Sequence, residues 1–314
     1  MGFLTRFFFN KVEQMTDSQL KLLKKAETDY RRKNYSAAVV GFSQLYNELE
    51  VVPDPVVVGL TSSLLAVKRP NEAAQIVDDH FSFFSQHQLS LLVQTLLQAQ
   101  RLLDVQLLKQ YVTDTEQIKL NEQLSAAETR ATKDATVQRV ARQFKHLGAV
   151  EIPQQQAIVQ QAERLTLKLY RAGVEVNLQD ADVSPVWRAQ MLNNLMRLKV
   201  TNPVSFRFLD NKLYQVTPAQ LQDVSETVVA QILEQQLQDQ FGQKDPIKVQ
   251  QLQQMIQTVL QLLFPFVDQI IRDPAQWFTV FTKMQEPDFD IQTVATEIRR
   301  WLLPIEQILQ ALVN

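Results

Sequence analysis

The side chains able to do proton, metal or nucleophile chemistry in this sequence are few and scattered. Its three histidines are His80, His87 and His146. His80 and His87 stand two helical turns apart, with Phe81, Phe83 and Phe84 between them. Two metal ligands on one helix usually sit four apart in a His-Glu-x-x-His pattern, which is absent here. The carboxylate pairs are Asp78-Asp79, Asp180/Asp182 and Asp288/Asp290. Paired acids run hydrolysis when their surroundings push their pKa values apart, and loop acids bind calcium when Asn, Gly and a distal Glu complete the loop. No pair has that completion, so helix caps and solvated loops account for them better. Gly41, Gly59, Gly148, Gly173 and Gly242 are isolated, which leaves no phosphate cradle, and no Gly-x-Ser-x-Gly elbow exists. The absence of cysteine removes thiol, disulfide and cysteine-based zinc or iron–sulfur chemistry. No catalytic, cofactor-binding or metal-ligating residue is therefore assigned, and the expected protein is not an enzyme.

The elements that position these residues are expected to be helices. A chain of 314 residues exceeds one typical core and points to two units. Six glycines are too few for the tight turns of a β-rich fold. A net charge of −2 gives no broad basic footprint, so no nucleic-acid partner is expected. The densest basic cluster, Lys24-Lys25 and Arg31-Arg32-Lys33, is interleaved with Glu27 and Asp29 and reads as a solvated helix face. The longest apolar stretch, Val259–Val267, is broken by Gln261 and Pro265 and falls short of the roughly 20 residues of a membrane span. Lack of cysteine suits a reducing, cytoplasmic compartment. The run Phe3–Phe9 contains Arg6 and makes a poor signal peptide. Met15 is followed by Thr-Asp-Ser-Gln, a good helix start, so residues 1–14 read first as a mis-assigned start, then as a terminal segment, and last as a membrane-surface anchor.

Helix starts are marked by Pro after a capping residue at Asp54-Pro55, Ser184-Pro185, Thr217-Pro218, Asp245-Pro246 and Asp273-Pro274. At Thr217 the signature extends to Gln220 as a capping box, which predicts a helix from Pro218 through Leu221, Val224, Val228, Ile232 and Phe241 to Gly242. Val249, Leu252, Met255, Ile256, Val259 and Leu263 form the next stripe. Trp277, Phe278 and Phe281 form another, expected to build a C-terminal core with Phe264 and Phe266. Val294, Ile298, Trp301, Ile305 and Ile308 form the last, with Pro304 expected to kink or divide it. Residues 204–216 alternate at Val204, Phe206 and Phe208 around Asp210-Asn211, which predicts one β-hairpin packed on neighbouring helices. Residues 116–148 read as one or two exposed helices. The expected organisation is an N-terminal segment 1–15, a helical-repeat domain 16–112, a helical connector 113–150 and a helical domain 151–314 carrying the hairpin.

Two units repeat with a period of about 35 residues. Residues 19–52 hold a helical run, a turn at Lys33-Asn34-Tyr35, then Ala37-Ala38, Phe42 and Leu45. Residues 54–87 hold a helical run, a turn at Lys68-Arg69-Pro70, then Ala73-Ala74 and Val77. Leu92, Leu96, Leu103, Leu107 and Leu108 suggest a third unit in 88–112. Ala26, Ala38, Phe42 and Leu45, and then Leu60, Leu64, Ala73 and Val77, resemble the small and packing places of tetratricopeptide repeats. Lys25, Asp29, His80 and Ser85 depart from that pattern. The resemblance covers about a third of the chain, which overall is similar to tetratricopeptide-containing proteins of Gram-positive bacteria. It implies an all-α, α-solenoid-like N-terminal domain whose groove holds a protein or peptide. The family's carboxylate-gripping subclass carries Lys and Asn where Leu23 and Glu27 stand here, so that ligand is not expected.

The function expected from these readings is a non-enzymatic adaptor or scaffold that binds a protein or extended peptide along the first helices of the repeats. Leu23, Glu27, Tyr30, Leu60, Ser63 and Val67 are the expected partner-binding residues, without cofactor or metal. A homo-oligomer is compatible with this reading. The alternative is a peptide- or metabolite-sensing regulator with its ligand between the two domains. A third reading is an enzyme with its site in the C-terminal domain.

Overall fold

A computed structural model of the chain describes residues 15–242, 244–284, 286 and 288–313. The start-site and surface-anchor expectations concern residues 1–14, which lie outside the described residues. The described residues are mostly helical, with one small antiparallel hairpin among them. It divides into two compact units, residues 1–131 and 132–314.

The first unit runs through α1 (Asp17–Arg31), α2 (Tyr35–Glu48), α3 (Asp54–Ala66), α4 (Pro70–Asp79), α5 (Phe81–His87), α6 (Leu89–Gln98), α7 (Leu102–Leu108) and most of α8 (Asp114–Lys133). α1 begins in a capping box: Thr16 Oγ1 accepts from Gln19 N–H, and Gln19 Oε1 accepts from Thr16 N–H at 2.9 Å. The pairs α1/α2, α3/α4 and α6/α7 are each closed by the same three-residue turn. Its middle residue is left-handed: Lys33 (φ 63°), Lys68 (φ 60°) and Gln100 (φ 61°). The following N–H, of Asn34, Arg69 or Arg101, donates back to the carbonyl of Asp29, Leu64 or Leu96 at 2.8–2.9 Å. This bond satisfies a carbonyl that the helix end would otherwise leave unpaired.

Small residues set how closely these helices approach. A β-carbon added at Gly41 would lie 2.9 Å from Ala26 Cβ, and one at Gly59 would lie 2.4 Å from the Phe42 ring. Ala26, Ala38, Phe42, Leu45, Leu60, Leu64, Ala73 and Val77 are all buried. α1 packs on α2 and α3, α3 on α4, and both α3 and α4 on α6. Phe84, Leu92, Leu96, Val105, Leu120 and Leu124 extend the apolar interior toward α7 and α8.

The second unit holds α9 (Ala135–Lys145), α10 (Ile152–Gln161), α11 (Leu167–Asn177), α12 (Pro185–Arg197), β1 (Val204–Arg207), β2 (Leu213–Val216), α13 (Val228–Phe241), α14 (Pro246–Leu263), α15 (Val267–Ile270), α16 (Pro274–Lys283) and α17 (Thr296–Val313). Asp134 separates α8 from α9, its Oδ1 accepting from Thr136 N–H at 2.7 Å. α9 is less exposed than expected, because Val137, Val140 and Phe144 are buried. The hairpin pairs Val204 with Val216 and Phe206 with Tyr214, and Asn211 takes the positive φ of its turn at 66°. It packs on helices through rings. Phe208 meets Phe266 at 5.1 Å and Trp301 at 5.6 Å, and Tyr214 meets Phe266 at 4.9 Å. Phe266 thus joins the hairpin, while Trp277, Phe278 and Phe281 fill the core with Leu233, Leu237, Leu252 and Leu263.

Several expected boundaries are corrected. After Thr217-Pro218 come two 3-10 turns, Pro218–Gln220 and Val224–Glu226, and Thr217 makes no side-chain cap. Helix α13 starts instead at Thr227, whose Oγ1 accepts from Ala230 N–H at 3.2 Å. Pro53, not Asp54, occupies the cap of α3, and Ser184 offers no side-chain cap to α12. Asp245 and Asp273 do cap their helices through Lys248 N–H and Gln276 N–H. α17 runs undivided through Pro304.

Between α11 and α12 the chain is irregular, and polar side chains hold it. Arg188 Nη1 donates to the carbonyls of Asp180 (2.6 Å) and Val183 (2.8 Å). Gln155 Nε2 donates to Asp182 O at 2.9 Å, and Gln155 Oε1 accepts from Ser184 N–H at 2.9 Å. From the hairpin, Arg207 donates its backbone N–H to Leu178 O (2.7 Å) and its Nε to Gln179 O (3.0 Å). Buried carbonyls need such partners wherever no helix or strand supplies them.

Candidate functional site

A cleft of about 350 Å³ opens between α1 and α3. α1 contributes Glu27, Tyr30 and Arg31, and α3 contributes Pro55, Val58, Gly59 and Ser62. These spacings of three and four put each set on one helix face. Phe42 of α2 forms the floor, where its ring rests on Gly59. Any larger residue at position 59 would displace that ring, so the glycine fixes the depth of the cleft. Tyr30 is braced edge-on by Tyr35 at 5.4 Å. Arg31 pairs with Glu27 at 3.5 Å along the rim. Both charges are well exposed, so the pair contributes little to stability and remains available to a partner.

Of the residues expected to bind a partner, Glu27 and Tyr30 line this cleft. Leu23, Leu60 and Ser63 do not, because all three are buried inside the helical array. The Ser63 hydroxyl is engaged internally, donating to Gly59 O at 2.6 Å. Val67 is half-buried and packs against the same interior. The open face of α3 lies about a third of a turn away from the expected one, at one residue per 100°. α3 is apolar around most of its circumference, with Val56, Val57, Leu60, Leu64 and Leu65 all buried. A helix of that kind carries no polar stripe from which its free face can be read. Pro55, Val58 and Ser62 were accordingly missed.

The other chemistry-bearing residues are spread through the fold. Tyr46 Oη donates to Asp79 Oδ2 at 3.1 Å and lies 3.2 Å from His80 Nε2. Burial, reinforced by the Asp79 carboxylate, pushes the Tyr46 phenol up to about 12, so it stays protonated and ties α2 to the end of α4. Asp78 pairs with Arg101 at 2.6 Å. Asp180 Oδ1 accepts from Asp182 N–H, and Asp290 Oδ1 from Gln292 N–H, as turn caps do. His87 lies against Phe83 at 5.7 Å. Among the described residues no group of three His, Asp or Glu side chains converges as a metal site. No described helix is long and apolar enough to cross a membrane.

Comparison with protein-family models, with curated proteins and with solved structures finds no match for this chain in any of the three.

Proposed function

We propose that this chain is a non-enzymatic, cytoplasmic adaptor whose N-terminal helices form a tetratricopeptide-like repeat array and hold a protein or extended peptide in the α1–α3 cleft. The observation that carries this reading is the cleft itself: it lies between the first helices of two successive helix pairs closed by the same turn. Its chemistry suits a protein ligand. Phe42 and Val58 offer an apolar floor and wall, Tyr30 an aromatic edge, and Glu27 and Arg31 a polar rim. Tyrosine and arginine are the side chains that most often dominate protein interfaces.

The test is site-specific cross-linking in the native cytosol. A photoreactive residue at Ser62 is expected to capture a partner, whereas one at Lys25, exposed on the outer side of α1, is not. Ser62→Trp, which fills the cleft, is expected to weaken the captured complex by about tenfold or more, and Tyr30→Ala to do the same while shifting stability by less than about 0.5 kcal/mol. Equal capture from positions 62 and 25, or a partner indifferent to Ser62→Trp, sinks the reading.

A further inference from the structure

The second unit carries a cleft of different chemistry. α12 packs on α14, and between them lies a space of about 320 Å³. Packed helices normally meet through apolar stripes. Here α12 presents Gln190, Asn193, Asn194 and Arg197 at the spacing of one face, and α14 presents Thr258 and Gln261. Apolar lining comes from Val186, Ala189 and Leu262 of the same two helices, with Val224 and Phe264. Two of the polar groups are held internally: Asn194 Nδ2 donates to Tyr170 Oη at 3.0 Å, and Thr258 Oγ1 donates to Gln254 O at 2.8 Å. Asn193 is not. Its Oδ1 is buried without a hydrogen-bond partner, and an acceptor left in that state is costly. Asn193 is among the residues that line the cleft, and a ligand N–H reaching this oxygen would supply the missing partner.

We propose that this cleft is a second binding site, independent of the α1–α3 cleft, for a small solute bearing a carboxylate next to an amide, of the size of an acylated amino acid or dipeptide. The carboxamides match an amide group of the ligand with a donor and an acceptor each. Arg197 stands exposed at the mouth. It already makes a contact of its own, and its five N–H donors allow it to take a carboxylate as well. The size follows from the volume of about 320 Å³, which equals that of about ten water molecules and accommodates one acylated residue.

The experiment titrates the full chain with N-acetylalanine, N-acetylalaninamide, acetate and acetyl-tetra-alanine. Calorimetry reads affinity, and the side-chain amide resonances of Gln190, Asn193 and Gln261 report location. N-acetylalanine is expected to shift those resonances and to bind about tenfold more tightly than the amide or acetate, each of which lacks one half of the ligand. Ala189→Trp, placed in the cleft wall, is expected to abolish binding. If that variant fails to fold, the double variant Gln190→Ala/Gln261→Ala serves, since both side chains are exposed. Arg197→Gln is expected to erase the preference for acid over amide. Absence of saturable binding below about 10 mM, equal binding of acid and amide, or shifts that persist in the cleft variants overturns the proposal. Equal binding of acetyl-tetra-alanine overturns the solute assignment in favour of a protein tail.

Discussion

The two units solve one problem, the pairing of backbone polar groups away from water, in opposite ways. In the first, the helix pairs are closed by backbone bonds of the turn that recurs after α1, α3 and α6. Its helices approach closely at small residues, and the fit is set by Ala26, Ala38, Gly41, Gly59 and Ala73. In the second, the chain between α11 and α12 makes no regular structure, and Gln155, Arg188 and Arg207 reach in to take its carbonyls. One unit is held mainly by packing and the other partly by buried polar side chains. Both leave a cleft between helices, but the first has an apolar floor and the second an amide wall, as these two modes of construction would leave them.

The largest effect is expected where that contrast is sharpest. Arg188→Ala removes the donor from the carbonyls of Asp180 and Val183 and is expected to cost about 3 kcal/mol. Arg188→Met restores volume without donors and should recover little of the loss. All three tryptophans, Trp187, Trp277 and Trp301, belong to the second unit, so denaturation followed by tryptophan fluorescence reads this unit. Full recovery by methionine would show that the segment is held by packing after all. Burial, with Arg207 adding repulsion, pulls the Arg188 guanidinium down from the usual arginine range to about 10. From about pH 10 upward the unfolded chain therefore binds the extra proton, and this group makes stability rise with pH there. Near neutrality Arg188 is charged in both states and adds no slope. The difference between wild type and Arg188→Met should be flat from about pH 6 to about pH 9 and vary only above it.

A smaller, opposite break is expected in the first unit. Gly59→Ala drives a methyl group into the Phe42 ring, which is fully packed. Overpacking of this kind costs about 2 kcal/mol. Hydrogen exchange is expected to accelerate in residues 17–66 and not in 178–207. Wild-type protection of α3 in the variant would mean that the ring has room to move, and that volume is not what holds this unit.

The same contrast decides what the sequence discloses. Stripes at spacings of three and four, Pro-marked starts at Asp245 and Asp273 and the alternation at Val204, Phe206 and Phe208 are local signals, and the elements they mark are present. The start expected at Thr217-Pro218 failed because a competing set of caps, Asp223 on Ser225 N–H and Thr227 on Ala230 N–H, lies a few residues on. At the α1–α3 cleft, Glu27 and Tyr30 were legible because α1 has distinct wet and dry faces. The α3 side was not, because burial by α2, α4 and α6 depends on distant contacts. Arg188 was invisible for the same reason: its partners are carbonyls, which carry no residue code.

The smallest effect tests whether the two units differ in their local backbone as well as in their packing. Lys33, Lys68 and Gln100 hold a left-handed φ that a β-carbon disfavours by about 1 kcal/mol. Lys199 at the end of α12 does so too, at φ 51°, and Val200 N–H bonds Leu195 O as the corresponding residues do in the first unit. Each →Gly substitution is expected to stabilise by about 0.5–1 kcal/mol, because the strain relieved exceeds the added freedom of the unfolded chain. The three in the first unit lie in separate turns, each closed by its own backbone bond, and their gains are expected to add. Lys68→Ala keeps the β-carbon and should gain nothing. A gain at Lys199 equal to that at Lys33, Lys68 and Gln100 would place the difference between the units wholly in long-range contacts. A gain confined to the first unit would show instead that its regular turns are strained in a way the α12 turn is not.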